Sequence, residues 1–242
     1  MAASIAIVTD IHGNSAALRA VLEDMDKEFQ IDHIYCIGDM VGIGHETNEV
    51  LELLFTRNDI SFVIGNHEEA FLNIIHGEAA GTSSEERRHH QWLVSRMDKS
   101  YILKLMELPK SLTVEIEGKQ LLLLHYHLTH DNTFLPIDSE PSGEKLEKLY
   151  PNTPANVICF GHHHPVHFFE TNNRLFLNPG SLGCNHKPLA RYAVLHIAEK
   201  VEAELREVPY DNQAFLLQYE LLGVPDKDFI LKVFHGNQHL NF

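Results

Sequence analysis

Carboxylate, carboxamide and imidazole side chains recur at five places where an apolar run gives way to glycine or a turn. These are Asp10-Ile11-His12, Gly38-Asp39, Gly65-Asn66-His67-Glu68, His125, and Gly161-His162-His163-His164. Such groups together suit divalent transition metals, and imidazole is the commonest ligand. Asp-x-His alone says little, since an aspartate and a histidine beside a turn are commonly a helix cap and a surface group. Gly-Asn-His-Glu and Gly-His-x-His after apolar runs are more specific. Five signatures in series, in a chain with 18 histidines, point to one pocket assembled around metal.

The elements that must position these residues follow from periodicity. Ser4 to Thr9 is a short Ile- and Val-rich run, the pattern of a strand buried on both faces. Asn14 or Ser15 then caps a helix with Leu18, Val21, Leu22 and Met25 on one stripe. The unit repeats: a strand at 33–37 ends in Gly38-Asp39, a helix spans 46–57, and a strand at 60–64 ends in Gly65-Asn66-His67. Strands alternating with helices predict a largely parallel sheet covered on both faces, with ligands at its carboxyl edge. Neighbouring strands there stand about 5 Å apart, so ligands distant in sequence can share a pocket. Residues from about 68 to 108 read as a helical insertion, with a solvated charged start at Glu85 to Arg88.

The second half changes texture. A hairpin at 112–124 turns at Gly118, further strands fit 157–160, 166–170, 175–177, 192–197 and 201–208, and Asn172-Asn173 marks a tight turn. A loop at about 127–154 is long enough to suggest a function. Helices near 212–222 and 227–234 form a C-terminal segment at about 212–235. They would cover the sheet or make a dimer contact, so a homo-oligomer is an open expectation. One α/β domain over residues 1–242 is the simplest reading.

Composition narrows the class. With 44% hydrophobic and 22% charged residues the chain is ordinary globular protein. A net charge of -15 excludes general binding to a nucleic-acid backbone, which relies on clustered Lys and Arg. Phosphate chemistry here would need cations from elsewhere. Cys36, Cys159 and Cys184 lack CxxC spacing, and an odd count argues against a disulfide framework. Cys184 is an unassigned thiol beside the suspected site. There is no signal-peptide layout and no membrane-length apolar run, so the expected location is cytoplasmic.

DIHGN at Asp10, GDMVG at Asp39, GNHE at Asn66 and GHHH at His162 resemble the calcineurin-like metallophosphoesterase superfamily. NPGSLG at 178–183, followed by Tyr192-Ala193-Val194, is similar to its small bacterial and archaeal phosphodiesterase-like branch. The resemblance implies an αββα sandwich of four layers, two mixed β-sheets flanked by helices. It also implies two divalent ions, with Asp10, His12 and His164 on the first, Asn66, His125 and His162 on the second, and Asp39 bridging. Mn is the first expectation and Fe, Zn, Co or Ni are compatible, since this donor set suits them better than Mg or Ca. Such a pair polarises phosphoryl oxygens and lowers the pKa of a water. His67 would protonate the leaving oxygen or stabilise its charge, as a catalytic group outside both ligand sets.

Other residues carry softer expectations. Asn66, His67, Tyr126 and Ser181 are candidate substrate contacts, and Asn178 can orient His162 through a carbonyl. Tyr126 stands where many relatives have glycine and would narrow the pocket rim. Phe134, Tyr126 and His127 could stack on a base, His163 should point away from the metals, and His45, His127, His130 and His186 are unassigned. The arginines that protein phosphatases use for phosphate are not recognisable, leaving Lys187, Arg191 and Arg174 as possible clamps. The expected activity is hydrolysis of a phosphodiester or phosphomonoester of a small molecule or nucleotide. The alternatives are a catalytically weak protein-interaction module, as in the retromer subunit of this fold, and a phosphoprotein phosphatase.

Overall fold

In a computed structural model, residues 2–78 and 83–242 are described. The first strand, β1 (Ala3–Val8), leads into α1 (Ser15–Glu28), followed by β2 (His33–Cys36), α2 (Thr47–Phe55) and β3 (Ile60–Phe62). Asn14 caps α1, its Oδ1 accepting the Ala17 N–H at 3.0 Å, a cap of the kind worth about 1 kcal/mol. Ala17, Leu18, Val21, Leu22 and Met25 are the buried apolar stripe, the i, i+3, i+4 pattern expected from sequence.

The insertion comprises α3 (Asn66–Ile75), α4 (Ser84–Val94), a 3₁₀ turn at Lys99–Tyr101 and α5 (Ile102–Met106). The part of it at residues 79–82 lies outside the described residues. Then come β4 (Ser111–Ile116), β5 (Lys119–Leu124), α6 (Gly143–Leu149), β6 (Val157–Cys159), β7 (His167–Glu170), β8 (Leu175–Asn178), β9 (Leu189–Ile197) and β10 (Val201–Pro209). Helices α7 (Gln213–Leu221) and α8 (Lys227–Val233) and a 3₁₀ turn at Gln238–Asn241 follow. The 127–154 segment is not one open loop, because it holds α6 and a Leu128–Phe134 bridge.

These strands form two five-stranded sheets, ordered β10-β9-β1-β2-β3 and β4-β5-β6-β8-β7. Within the first, β1, β2 and β3 are parallel, β9 pairs antiparallel with β1, and β10 pairs antiparallel with β9. Within the second, β5, β6 and β8 are parallel and β4 and β7 antiparallel. Strand alternation therefore predicted the parallel centres but not two mixed sheets, which are those the family resemblance implied.

Period-2 geometry explains the layering. Ile5 and Ile7 of β1 join Leu121, Leu123, Val157, Cys159, Leu175 and Leu177 in the core between the sheets. Ala6 and Val8 point the other way, onto Leu18, Val21, Val50 and Leu54 of the helices. The outer face of the second sheet packs Ile158, Phe160 and Phe176 against Leu146 of α6. Helices α7 and α8 do not cover a sheet face: Phe215, Leu216, Tyr219, Ile230 and Leu231 pack on Ile43 and Cys184, beside the loops that leave the strands. Among the described residues no helix is long and apolar enough to cross a membrane.

Candidate metal centre

The carboxyl ends of β1, β2 and β3 in one sheet, and of β5 and β6 in the other, bring the five signatures together. Hydrogen bonds tie the two sheets together here. The His162 N–H donates to Asp10 Oδ2 at 3.0 Å, and His125 Nδ1 donates to the Ile37 carbonyl at 2.9 Å. Asp10, His12, Asp39 and His162 all adopt left-handed φ, between 50° and 65°. For non-glycine residues this costs of order 1–3 kcal/mol each, and it turns each side chain sharply away from its strand and into the pocket.

The close approach of β6 to β1 needs a missing side chain. A Cβ on Gly161 would lie 2.0 Å from Thr9 Oγ1 and 2.7 Å from Asp10 Oδ2. Thr9 itself donates to Asp10 Oδ2 at 2.8 Å. Ser181 is fully buried, and its hydroxyl donates to the Asp10 carbonyl and accepts the Cys184 N–H, both at 2.8 Å. It anchors Asp10 instead of facing a substrate.

The donor atoms converge in two groups around Asp39. On one side His12 Nε2 and His164 Nε2 face each other at 3.1 Å, and lie 3.6 and 3.5 Å from Asp10 Oδ1. On the other, His125 Nε2 is 3.1 Å from Asp39 Oδ2 and 3.0 Å from Asn66 Oδ1. Ligand atoms of Asp39, His125 and His162 lie within 4.8 Å of one another. His12 Nε2 also lies 3.8 Å from Asp39 Oδ2. All seven expected ligands are thus gathered.

This donor set fits a cation. His125 and His12 donate through Nδ1, to the Ile37 and Val41 carbonyls, which leaves their Nε2 lone pairs directed at the carboxylates. Three acceptors, His125 Nε2, Asn66 Oδ1 and Asp39 Oδ2, cannot share that space without a positive charge between them. Asp10 Oδ1 is buried with no hydrogen-bond partner among the described residues, a costly state unless something positive sits against it.

Proton affinities carry the same demand. Burial would lower His125, but the Asp39 carboxylate raises it to about 9. Burial would raise Asp10 and Asp39, but the surrounding imidazoles hold both low, His12 and His164 for Asp10 and chiefly His125 for Asp39. Cys184 lies near His12 and His164, and burial pushes its thiol up.

His67 stands beside these groups. Its backbone N–H donates to Asp39 Oδ1 at 3.0 Å, and its Nε2 is 4.0 Å from Asp39 Oδ2. Its Nδ1 pairs with His90 Nε2 of α4 at 2.9 Å. His90 is buried and its Nδ1 has no partner among the described residues. A bare acceptor is cheaper to bury than a bare N–H, so His90 donates through Nε2 and His67 carries its own proton on Nε2, toward the pocket. Burial, above all, lowers both imidazoles, His90 to about 4.

Several residues were not foreseen from sequence. Glu68 is buried and accepts the N–H groups of Gly65, Asp39 and Val41 at 2.8 to 3.0 Å, joining the second and third signatures. Burial, then Asp39, raises it to about 7. Its place in Gly-Asn-His-Glu was the available signal. His90 had only its position on a buried helical stripe with Leu93. Glu86, read as part of a solvated start, is half-buried near His67 and His90.

Other expectations are corrected for Tyr126 and His127 and met for His163 and Asn178. Tyr126 is not at the rim: it is buried, its ring 4.9 Å from that of His162 and its hydroxyl accepting the Asp138 N–H. His127 turns away, buried against Phe160 and bonded to Tyr150. Phe134 packs edge-on to His125. His163 points out of the cluster and pairs with His167. His45 and His186 bond to the Phe215 and Val233 carbonyls, and His130 is exposed beside Asp131. Asn178 donates to the carbonyls of Gly161 and His163, which flank His162. Arg174 binds Glu147 and carbonyls of the outer layer, away from the centre, while Arg191 pairs with Glu207.

The chain is similar to several known proteins. The profile of the Calcineurin-like phosphoesterase superfamily domain matches residues 4–200. An uncharacterized protein of Methanocaldococcus jannaschii is 28% identical over 230 residues, covering 86% of this chain and 88% of its own. A symmetrical bis(5'-nucleosyl)-tetraphosphatase of Paracidovorax citrulli is 28% identical over 162 residues, 61% of this chain and 56% of that one. A metallophosphoesterase crystal structure from Sphaerobacter thermophilus superposes with a TM-score of 0.74 at 22% identity, covering 96% of this chain and 98% of that one.

Proposed function

The chain belongs to the calcineurin-like phosphoesterase superfamily, and from that premise we propose that it hydrolyses a phosphodiester or phosphomonoester of a small molecule or nucleotide with two divalent metal ions. Asp10, His12 and His164 would hold one ion and Asn66, His125 and His162 the other, with Asp39 shared between the two sets. Mn is the expected metal, with Fe, Zn, Co and Ni compatible. When bound, the pair supplies positive charge for the phosphoryl oxygens and lowers the pKa of a water. The observation that carries this reading is the unpaired Asp10 Oδ1 in a cradle of converging lone pairs.

The protein's own groups do the rest. Asp39 is oriented from both ends, its N–H held by Glu68 and its Oδ1 by the His67 N–H. His67 offers Nε2–H to the leaving oxygen, with His90 fixing the tautomer. The three cysteines are unpaired, in keeping with a cytoplasmic location. The test is to remove metal, reload with Mn, Co, Ni or Zn, and assay activated mono- and diesters. Two ions per chain and metal-dependent turnover are expected. Ordered metal with no turnover of any ester would instead favour an interaction module.

A further inference from the structure

The metal centre is flanked by two clefts of opposite character. One, of about 390 Å³, opens beside His164 and is lined by Lys187, His186 and Arg191. The other, of about 450 Å³, opens beside His67 and is lined by Ile43, Phe229, Ile230, Phe234, Glu86 and Asp226, with no Lys or Arg among its lining residues. Phe234 borders both, its ring 5.7 Å from His164. Arg191 is already paired with Glu207, which leaves Lys187 as the cation of the first cleft without an ion pair among the described residues.

Resting on the phosphoesterase reading, we infer that the cleft beside His67 receives the leaving group, and that this group is an uncharged ring-bearing alcohol of the nucleoside class. Two observations carry this. His67, whose Nε2–H faces the reacting centre, is a wall of this cleft and not of the other. The cleft offers aromatic and aliphatic faces for a ring, with half-buried Glu86 and Asp226 to accept its hydroxyl or amino hydrogens. Those carboxylates repel a leaving group that bears further phosphate. Any anionic part of the substrate that stays on the transferred phosphoryl group belongs over Lys187. A symmetrical dinucleoside tetraphosphate, which departs as an anionic nucleoside diphosphate, is thereby disfavoured.

In the reaction, water forms the new P–O bond. The bond to the leaving oxygen breaks with its electron pair on that oxygen, whose developing charge is held by the His67 Nε2–H and which takes up the proton released by water. Glu86 is close enough to His67 and His90 that altering it would confuse roles. Phe229 is 53% exposed, so changing it leaves the core intact.

The test compares 4-nitrophenyl and 3-carboxy-4-nitrophenyl esters, both as phosphomonoesters and as methyl diesters, with the Mn-loaded protein. The leaving groups are alike in acidity and differ in charge. We expect kcat/KM to favour the neutral group by about tenfold or more. Phe229→Lys should narrow that gap by about threefold, while Lys187→Ala leaves it unchanged. In parallel, saturation-transfer NMR on metal-free protein should detect adenosine, with the signal lost in Phe229→Ala. Equal rates for both leaving groups, a gap that follows Lys187 and not Phe229, or an active enzyme with no adenosine signal would each overturn the inference alone. No turnover of any ester with any metal, whatever the adenosine signal, would overturn the phosphoesterase reading and the leaving-group role with it.

Discussion

Asp39 meets several demands at once: left-handed backbone, an N–H given to Glu68, one oxygen taken by the His67 N–H and the other turned to His125. Asp39→Ala should therefore lose both ions as well as turnover, by about 100-fold or more, and metal analysis alongside kinetics checks it. A variant that kept two ions and normal rates would end the bridging assignment. His67→Asn should keep the metals but lose about 10²- to 10⁴-fold, more on poor leaving groups than on activated ones. His90 acts through His67, so its effect should follow the same leaving-group dependence. His90→Leu is expected to lose about tenfold on poor leaving groups, while His90→Gln, whose amide still donates to His67 Nδ1, recovers most of it. An equal loss on both substrate types would mean that His90 only packs α4.

At the scale of elements, the centre depends on how closely two strand ends and two loops approach. Gly161→Ala would drive a Cβ into Thr9 Oγ1 and the Asp10 carboxylate. Overpacking of this kind costs about 1–3 kcal/mol. The expected result is a lower denaturation midpoint together with weakened metal binding, since the displaced group is a proposed ligand. Gly42 plays the same part for His67, whose Nδ1 lies 2.2 Å from where a Cβ would stand, and its φ of +83° suits glycine. That space lets His90 reach His67 from α4. The insertion is thus an arm of the centre, a role its sequence hid because the contact spans 23 residues.

For the whole molecule, the buried acidic centre couples folding to metal and to pH. Chelation should lower the melting temperature, because a ligand bound only by the native state adds about 2.7 kcal/mol at a hundred times its Kd. An unchanged melting curve would argue against tight native binding. Burial depresses His235 to about 3 and His89 to about 4. Both are neutral when folded, so between those values and the unfolded value near 6.5 the unfolded chain binds more protons. Their contribution is complete above about pH 6.5 and is lost as pH falls, at up to about 1.4 kcal/mol per pH unit for each group. His235→Asn should flatten the acid limb of stability against pH, read from denaturant midpoints. A limb as steep as in the parent would remove His235 as a source.

By itself the sequence determined the strand ends and what they carry. Period-2 apolar runs broken by Gly-Asp, Gly-Asn-His and Gly-His-x-His marked where chains turn and which donors sit there, because turn chemistry and burial pattern are local properties. It offered Asn178 as one possible support of His162 through a carbonyl, and the structure supplies two such carbonyls, those of Gly161 and His163. Only the tertiary structure decided that β1 and β6 from different sheets share Asp10, that Tyr126 and His127 turn into the core, and that Glu68 and His90 serve the centre. Those outcomes depend on which sheet face packs inward and how two sheets stack. They are long-range packing choices to which no spacing along the chain corresponds. The seven donors were legible one by one, and their common pocket, with its two unlike clefts, came from the stacking of the sheets and the helices laid over their loops.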